Sequence, residues 1–177
     1  MPESASIGEP VPEKAWYVAF VLTGSEVTVS RRMASSVAGL EILVPRRSLR
    51  ERVRGQWHDV EKTVFPGYVF FQSELTNEQH FIISHLTGVI RILEQNRQPQ
   101  PVSLAEMDLI LRLTDREGLI GFSRVSQEAG KVVVSSGPLL GCEGMIIGAD
   151  RRKGRVRIRL TVNGQNHHFD VGAEWIS

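Results

Sequence analysis

Thr63-Val64-Phe65-Pro66-Gly67-Tyr68-Val69-Phe70-Phe71 is a short apolar run interrupted once, by Pro-Gly, and resumed as an aromatic strand. Pro66 has no backbone donor and Gly67 tolerates positive φ, so the break reads as a turn that delivers the chain into a buried strand. A strand this apolar belongs in the middle of a sheet. Taken alone, Phe65 and Tyr68 read as core aromatics.

Upstream, Trp16-Tyr17-Val18-Ala19-Phe20-Val21 is a second continuous apolar run of strand length, ended by Gly24. Over residues 25–38 the apolar positions Val29, Met33, Ala34 and Val37 recur at helical spacing, with Arg31 and Arg32 facing away and Gly39 closing the helix. Residues 40–44 return to strand. Residues 46–59 hold five arginines (Arg46, Arg47, Arg50, Arg52 and Arg54) and few apolar anchors; they read as an exposed, mobile basic excursion with its tip at Gly55.

Downstream, Thr76 is placed to cap a short helix ending near residue 86, and Val89-Ile90-Arg91-Ile92-Leu93 is another strand. Ser103 followed by Glu106 is a capping-box pair that opens a helix over 104–116. Residues 14–116 therefore read as an α+β domain, an antiparallel sheet flanked by helices. Residues 117–126 hold no period and read as a linker. Residues 127–177 change character, with short β-rich runs between glycine turns, the pattern of a small all-β SH3-like barrel. Residues 1–13, with three prolines, read as a disordered leader.

Composition narrows the function classes. The 177-residue chain is 41% hydrophobic, enough for packed cores, and carries a formal net charge of only +1, so nucleic-acid affinity has to come from local patches. One cysteine, Cys142, excludes an internal disulfide. No apolar run is long enough to span a membrane, which leads to a soluble, cytoplasmic expectation. No phosphate loop, nucleophile elbow or metal-ligand spacing occurs, so no enzyme, cofactor or metal site is expected.

Trp16-Tyr17-Val18, Phe65-Pro66-Gly67-Tyr68 and the Gly137-Pro138-Leu139 segment within G-x-x-V-x-V-x-x-G-P-L-x-G-x-x-G stand in an order and spacing that resembles the NusG family of bacterial transcription elongation factors. The resemblance covers residues 16–177 and implies an N-terminal NGN domain that binds RNA polymerase and a C-terminal KOW barrel that recruits a further partner. It implies that Trp16, Tyr17, Phe65, Pro66 and Tyr68 lie in or beside a groove for the clamp helices of the polymerase β′ subunit. Arg31 and Arg32 would sit at its rim. His85 and Thr87 would face the gate loop of the β subunit. A coiled coil suits such a groove because aromatics offer large rigid contact area at low entropic cost.

Charge carries a second expectation. Arg155-Val156-Arg157-Ile158-Arg159-Leu160 alternates strictly, placing three guanidinium groups on one strand face next to the basic turn Arg151-Arg152-Lys153. Such a ladder suits phosphates, whether of a structured RNA leader or of DNA, and Arg46, Arg47 and Arg50 offer a second basic surface. The basic turn and the long leader favour a specialised antitermination paralogue of the RfaH and LoaP type acting as a monomer. The rivals are the housekeeping factor, coupling polymerase to Rho or ribosomal protein S10 through Gly137-Pro138-Leu139-Leu140, and a ribosome-associated RNA-binding module.

Overall fold

The computed structural model describes residues 14–176; the segment 1–13, expected as a leader, lies outside the described residues, as does Ser177. The chain runs through β1 (Ala15–Val21), α1 (Glu26–Ser36), β2 (Glu41–Leu43), β3 (Arg46–Val53), β4 (Gln56–Thr63), β5 (Tyr68–Ser73), α2 (Asn77–Ser84) and β6 (Val89–Ile92). A two-residue pair, β7 (Glu94–Gln95) and β8 (Gln98–Pro99), leads to α3 (Leu104–Leu113). There follow β9 (Leu119–Ile120), β10 (Ser123–Glu128), β11 (Lys131–Ser136), a short 3₁₀ turn, β12 (Ile146–Asp150), β13 (Arg155–Val162) and β14 (Gln165–Trp175).

The aromatic strand β5 is internal, in a sheet of order β2-β5-β1-β6 whose pairings are all antiparallel. Its register against β1 sets Tyr17 opposite Phe71, Val18 opposite Phe70 and Phe20 opposite Tyr68. Because successive side chains alternate across a pleat, this register sorts the aromatics onto two faces. Tyr17, Ala19, Val69 and Phe71 pack against Val29 and Met33 of α1 and Ile83 of α2. Val18 and Phe70, with Phe65, pack under Met107, Ile110 and Leu113 of α3, and this second cluster runs without a break into Val156, Ile158, Leu160, Phe169 and Val171.

Those last residues line a curled five-stranded sheet of order β11-β10-β14-β13-β12. Along β13 Val156, Ile158, Leu160 and Val162 are buried while the intervening positions 157, 159 and 161 are exposed, the alternation its sequence dictates. An α+β domain followed by a small all-β barrel is thus the architecture.

Thr76 and Ser103 cap α2 and α3 as the sequence implies, each accepting the N–H three residues on. Glu106, however, turns its carboxylate to the Asn163 N–H of the barrel at 2.7 Å. The third helix stops at Leu113, three residues early, because the Asp115 carboxylate takes the N–H groups of Glu117 (2.8 Å) and Leu119 (3.0 Å) and offers the backbone a turn in place of helix.

Two stretches differ from their sequence reading. The basic excursion is a regular hairpin: β3 and β4 pair at every position from Arg46↔Thr63 to Val53↔Gln56, with Arg54 and Gly55 both at positive φ in the turn. Opposite charges hold what apolar residues do not, through Arg46 with Glu61, Lys62 with Glu51 at 2.5 Å and Arg50 with Asp59 at 3.3 Å. The expected linker at 117–126 is likewise ordered. Leu119–Ile120 pairs parallel with β3, and Ser123 already begins the barrel.

Candidate functional site

The Phe65-Pro66-Gly67-Tyr68 turn is built by a residue that no sequence motif points to. Gly67 sits at φ 82° and a Cβ there would meet the Val21 carbonyl at 3.2 Å, so only glycine fits without strain. Its N–H donates to Oε1 of the buried Glu26 at 2.7 Å, and the same carboxylate accepts from Gly24 at 3.0 Å. Burial pushes Glu26 up, but the backbone donors from Gly67, Glu26 and Gly24 outweigh it and hold the carboxyl below its ordinary value. The start of α1 and the aromatic turn are therefore one unit.

That unit presents Phe65 and Tyr68 to the barrel. Phe65 is 1% exposed. His167 stands edge-on to it with centroids 5.0 Å apart, Phe169 lies 6.0 Å away, and His167 also meets Tyr68 at 5.5 Å. Beyond the aromatics, Arg47 donates to the Asp170 carbonyl at 2.5 Å and Arg155 to the Arg50 carbonyl at 3.2 Å, while Arg50 meets Glu174 at 3.5 Å. At Gly172 a Cβ would fall 2.7 Å from the Ser48 carbonyl and 2.3 Å from the Phe122 ring, so this glycine permits β14 to lie against β3.

The expected site residues separate on this frame. Phe65, Pro66 and Tyr68 stay together, Pro66 exposed beside the covered ring of Phe65, and half-buried Trp16 packs against the same cluster. Tyr17 does not join them: it is 7% exposed on the opposite face, stacked on Phe71 at 5.8 Å. Adjacent positions on a strand cannot share a face, so Trp16 and Tyr17 were separable from the alternation alone. Arg31 and Arg32 are exposed on α1, also across the sheet from Phe65, and Arg32 donates to the Thr87 carbonyl at 2.7 Å. His85 and Thr87 are exposed together at the end of α2, with His85 stacked on Phe81 at 4.1 Å.

The arginine ladder is divided between two tasks. Arg155 faces Glu51 and Asp170, each at 3.7 Å, inside the contact between the domains. Arg157 meets Asp170 at 3.4 Å. Arg151, Arg152, Lys153 and Arg159 are exposed and make no ion pair among the described residues. Arg46 is spent on Glu61 and the Glu117 carbonyl, Arg47 on Asp170.

The family model described as "Transcription termination factor nusG" matches residues 14–111. The chain belongs to the NusG family. It is 28% identical over 163 residues to the transcription termination/antitermination protein NusG of Vibrio parahaemolyticus, with 87% of this chain and 90% of the relative covered. The namesake of Pasteurella multocida is 28% identical over 167 residues, covering 89% and 91%. In structure the chain is similar to NusG of Thermotoga maritima, in a solved structure described as "Domain interaction in Thermotoga maritima NusG", with TM-score 0.58, 20% identity and coverage of 90% and 93%.

In this member the domain contact is sealed with polar atoms that lack partners. Arg47 Nε, Arg155 Nε, His167 Nε2 and Trp175 Nε1 are buried without a hydrogen-bond partner among the described residues. All four belong to residues at or beside the contact, and each subtracts from the gain of burying it. Burial, then the neighbouring His168, pushes His167 below its ordinary value of 6.5. The part of that burial supplied by Phe65 and Tyr68 makes the docked form prefer neutral His167, so docking is strongest with the imidazole neutral and weakens on acidification, as a barrel with His167 uncovered takes up the proton first. A distance reporter across the two domains is expected to show separation on acidification from neutral pH. His167→Phe should remove that dependence; an unchanged pH response would place the titrating group elsewhere.

Proposed function

We propose that the chain is a regulated transcription elongation and antitermination factor whose 14–116 domain binds the clamp helices of RNA polymerase β′ through the sheet face bearing Phe65, Tyr68 and Trp16. The barrel lies across that face, so the docked form is the one that polymerase cannot use. The carrying observation is Phe65, 1% exposed, with His167 and Phe169 of the barrel closing over a ring that already rests on Tyr68 and Phe70 of its own sheet. A partner helix and the barrel compete for one apolar surface, and the contact's unpaired polar atoms keep the competition open to exchange.

His85 and Thr87 stand at the far end of α2 as the second contact, towards the β gate loop. Arg151, Arg152, Lys153, Arg157 and Arg159 supply the nucleic-acid contacts of the barrel, the feature that favours a specialised RfaH- or LoaP-type role. The housekeeping reading retains one supporting feature, since Leu140 in the Gly137-Pro138-Leu139-Leu140 turn is 54% exposed and available to Rho or ribosomal protein S10, while Leu139 is fully buried.

The test is Gly172→Ala. The added methyl would overlap the Phe122 ring first and the Ser48 carbonyl next, forcing β14 and the Phe122 segment away from β3 without touching the polymerase face, so this variant is expected to bind the isolated clamp helices more tightly than the native chain, by about tenfold if undocking costs about 1.4 kcal/mol. A chain ending at Gly121, which keeps β9 paired with β3, should bind at least as tightly. Equal affinity for all three proteins would mean that the barrel does not cover the polymerase face.

A further inference from the structure

Docking creates a cleft that neither domain has alone. The hairpin β3–β4 forms one wall with Arg50 and Trp57, and the turn between β12 and β13 forms the other with Arg151, Arg152 and Lys153, over Trp175 at the end of β14. Its volume is about 590 Å³, within the roughly 300 to 1,000 Å³ range of sites that hold a small ligand or a nucleotide unit.

The lining separates charge from flat apolar surface. Four cations face two carboxylates, Asp59 and Glu174, and both carboxylates are taken by Arg50, at 3.3 and 3.5 Å. At the rim Arg151, Arg152 and Lys153 make no ion pair among the described residues, and the acid of their own turn, Asp150, accepts from the Lys153 N–H at 2.9 Å. Arg151 lies over the Trp175 ring at 5.9 Å, a cation placed on an aromatic face. Opposite, Trp57 is 49% exposed at the end of a hairpin, paired in register with Arg52. An exposed indole at a hairpin end lies outside both cores, and its neighbours in the cleft are Arg50 with its partner Asp59 and the basic turn.

We infer that this interdomain cleft binds single-stranded nucleic acid, with a base stacked on Trp57 and the flanking phosphates held by Arg151, Arg152 and Lys153. The inference rests on the nucleic-acid reading of the barrel turn given above and narrows it. A duplex keeps its bases inside the stack, where Trp57 cannot reach them; an unpaired strand exposes both the π-face and the phosphates that this lining matches. Since the two walls come from different domains, the ligand binds the docked form better than the separated one. By reciprocity it holds the barrel on Phe65 and opposes polymerase by the same factor.

The probe is an oligo(U) of about ten nucleotides, with oligo(dT) of equal length and poly-glutamate as comparisons, titrated against the full chain. Trp57→Ala is expected to weaken oligo(U) about tenfold while leaving thermal unfolding unchanged, because the ring is outside the core. Arg152→Ala should reduce the slope of log affinity against log salt by about 0.7. Gly172→Ala, which separates the walls, should weaken binding as Trp57→Ala does, and oligo(U) should weaken clamp-helix binding to the native chain. RNA preferred over DNA would mark a 2′-hydroxyl contact, equal affinity a phosphate-and-base site; either agrees with the cleft. If Arg152→Ala weakens binding but Trp57→Ala and Gly172→Ala do not, the barrel turn binds by itself and the composite cleft is wrong. If Arg152→Ala also has no effect, or poly-glutamate competes as well as RNA, the nucleic-acid reading of the turn fails with it.

Discussion

Phe65→Ala is expected to lower the stability of the full chain by about 3 to 5 kcal/mol, the range for emptying a packed aromatic site. The ring is 1% exposed and has aromatic neighbours from both sides of the domain contact: Tyr68 at 5.9 Å and Phe70 at 5.5 Å from its own sheet, His167 and Phe169 from the barrel. Part of the loss therefore appears as easier separation of the domains, visible as faster proteolysis between residues 117 and 122. Polymerase affinity gives the second measurement and has to be made in the Gly172→Ala background, where the face is already uncovered. There Phe65→Ala should weaken clamp-helix binding by about 1 to 3 kcal/mol. Lost stability with unaltered affinity would make Phe65 a support only, and the polymerase face would have to be sought elsewhere on the sheet.

Glu26→Ala should cost about 3 kcal/mol. The carboxylate accepts from Gly67 at 2.7 Å and Gly24 at 3.0 Å, and hydrogen bonds to an ionised group contribute about 1.5 to 3 kcal/mol each. Removing the acceptor leaves the buried Gly67 N–H unpaired, while that of exposed Gly24 turns to water, and frees the Phe65-Pro66-Gly67-Tyr68 turn from α1. Because the folded carboxyl lies below its ordinary 4.5, this contribution is complete above that value and is lost as the pH falls through the lower folded one. Urea midpoints of native and Glu26→Ala chains should differ near neutral pH and converge on strong acidification. A constant difference across that range would mean that the side chain acts by packing and not by its charge.

Much of this molecule is legible in one dimension because its signals are local. The helical spacing of Val29 and Met33, the caps at Thr76 and Ser103 and the alternation from Arg155 to Leu160 each depend on a few neighbouring residues, and each appears where the sequence puts it. The hairpin β3–β4 was harder to read, since its strands have few apolar side chains and are matched by cross-strand charge, which a single strand does not display. Glu26 was invisible for the same reason: nothing at position 26 announces that the N–H of Gly67, 41 residues on, will need an acceptor.

The family, the internal aromatic strand and the two-domain architecture were determined by the sequence alone, through the motifs Trp16-Tyr17-Val18, Phe65-Pro66-Gly67-Tyr68 and Gly137-Pro138-Leu139. Where the barrel sits was decided only in three dimensions. Docking depends on Gly172 being small enough to lie under the Ser48 carbonyl, on Arg47 and Arg155 reaching across to backbone oxygens, and on His167 covering a ring a hundred residues earlier. Each of those contacts couples residues far apart in the chain, and a contact between distant residues leaves no periodicity in either segment.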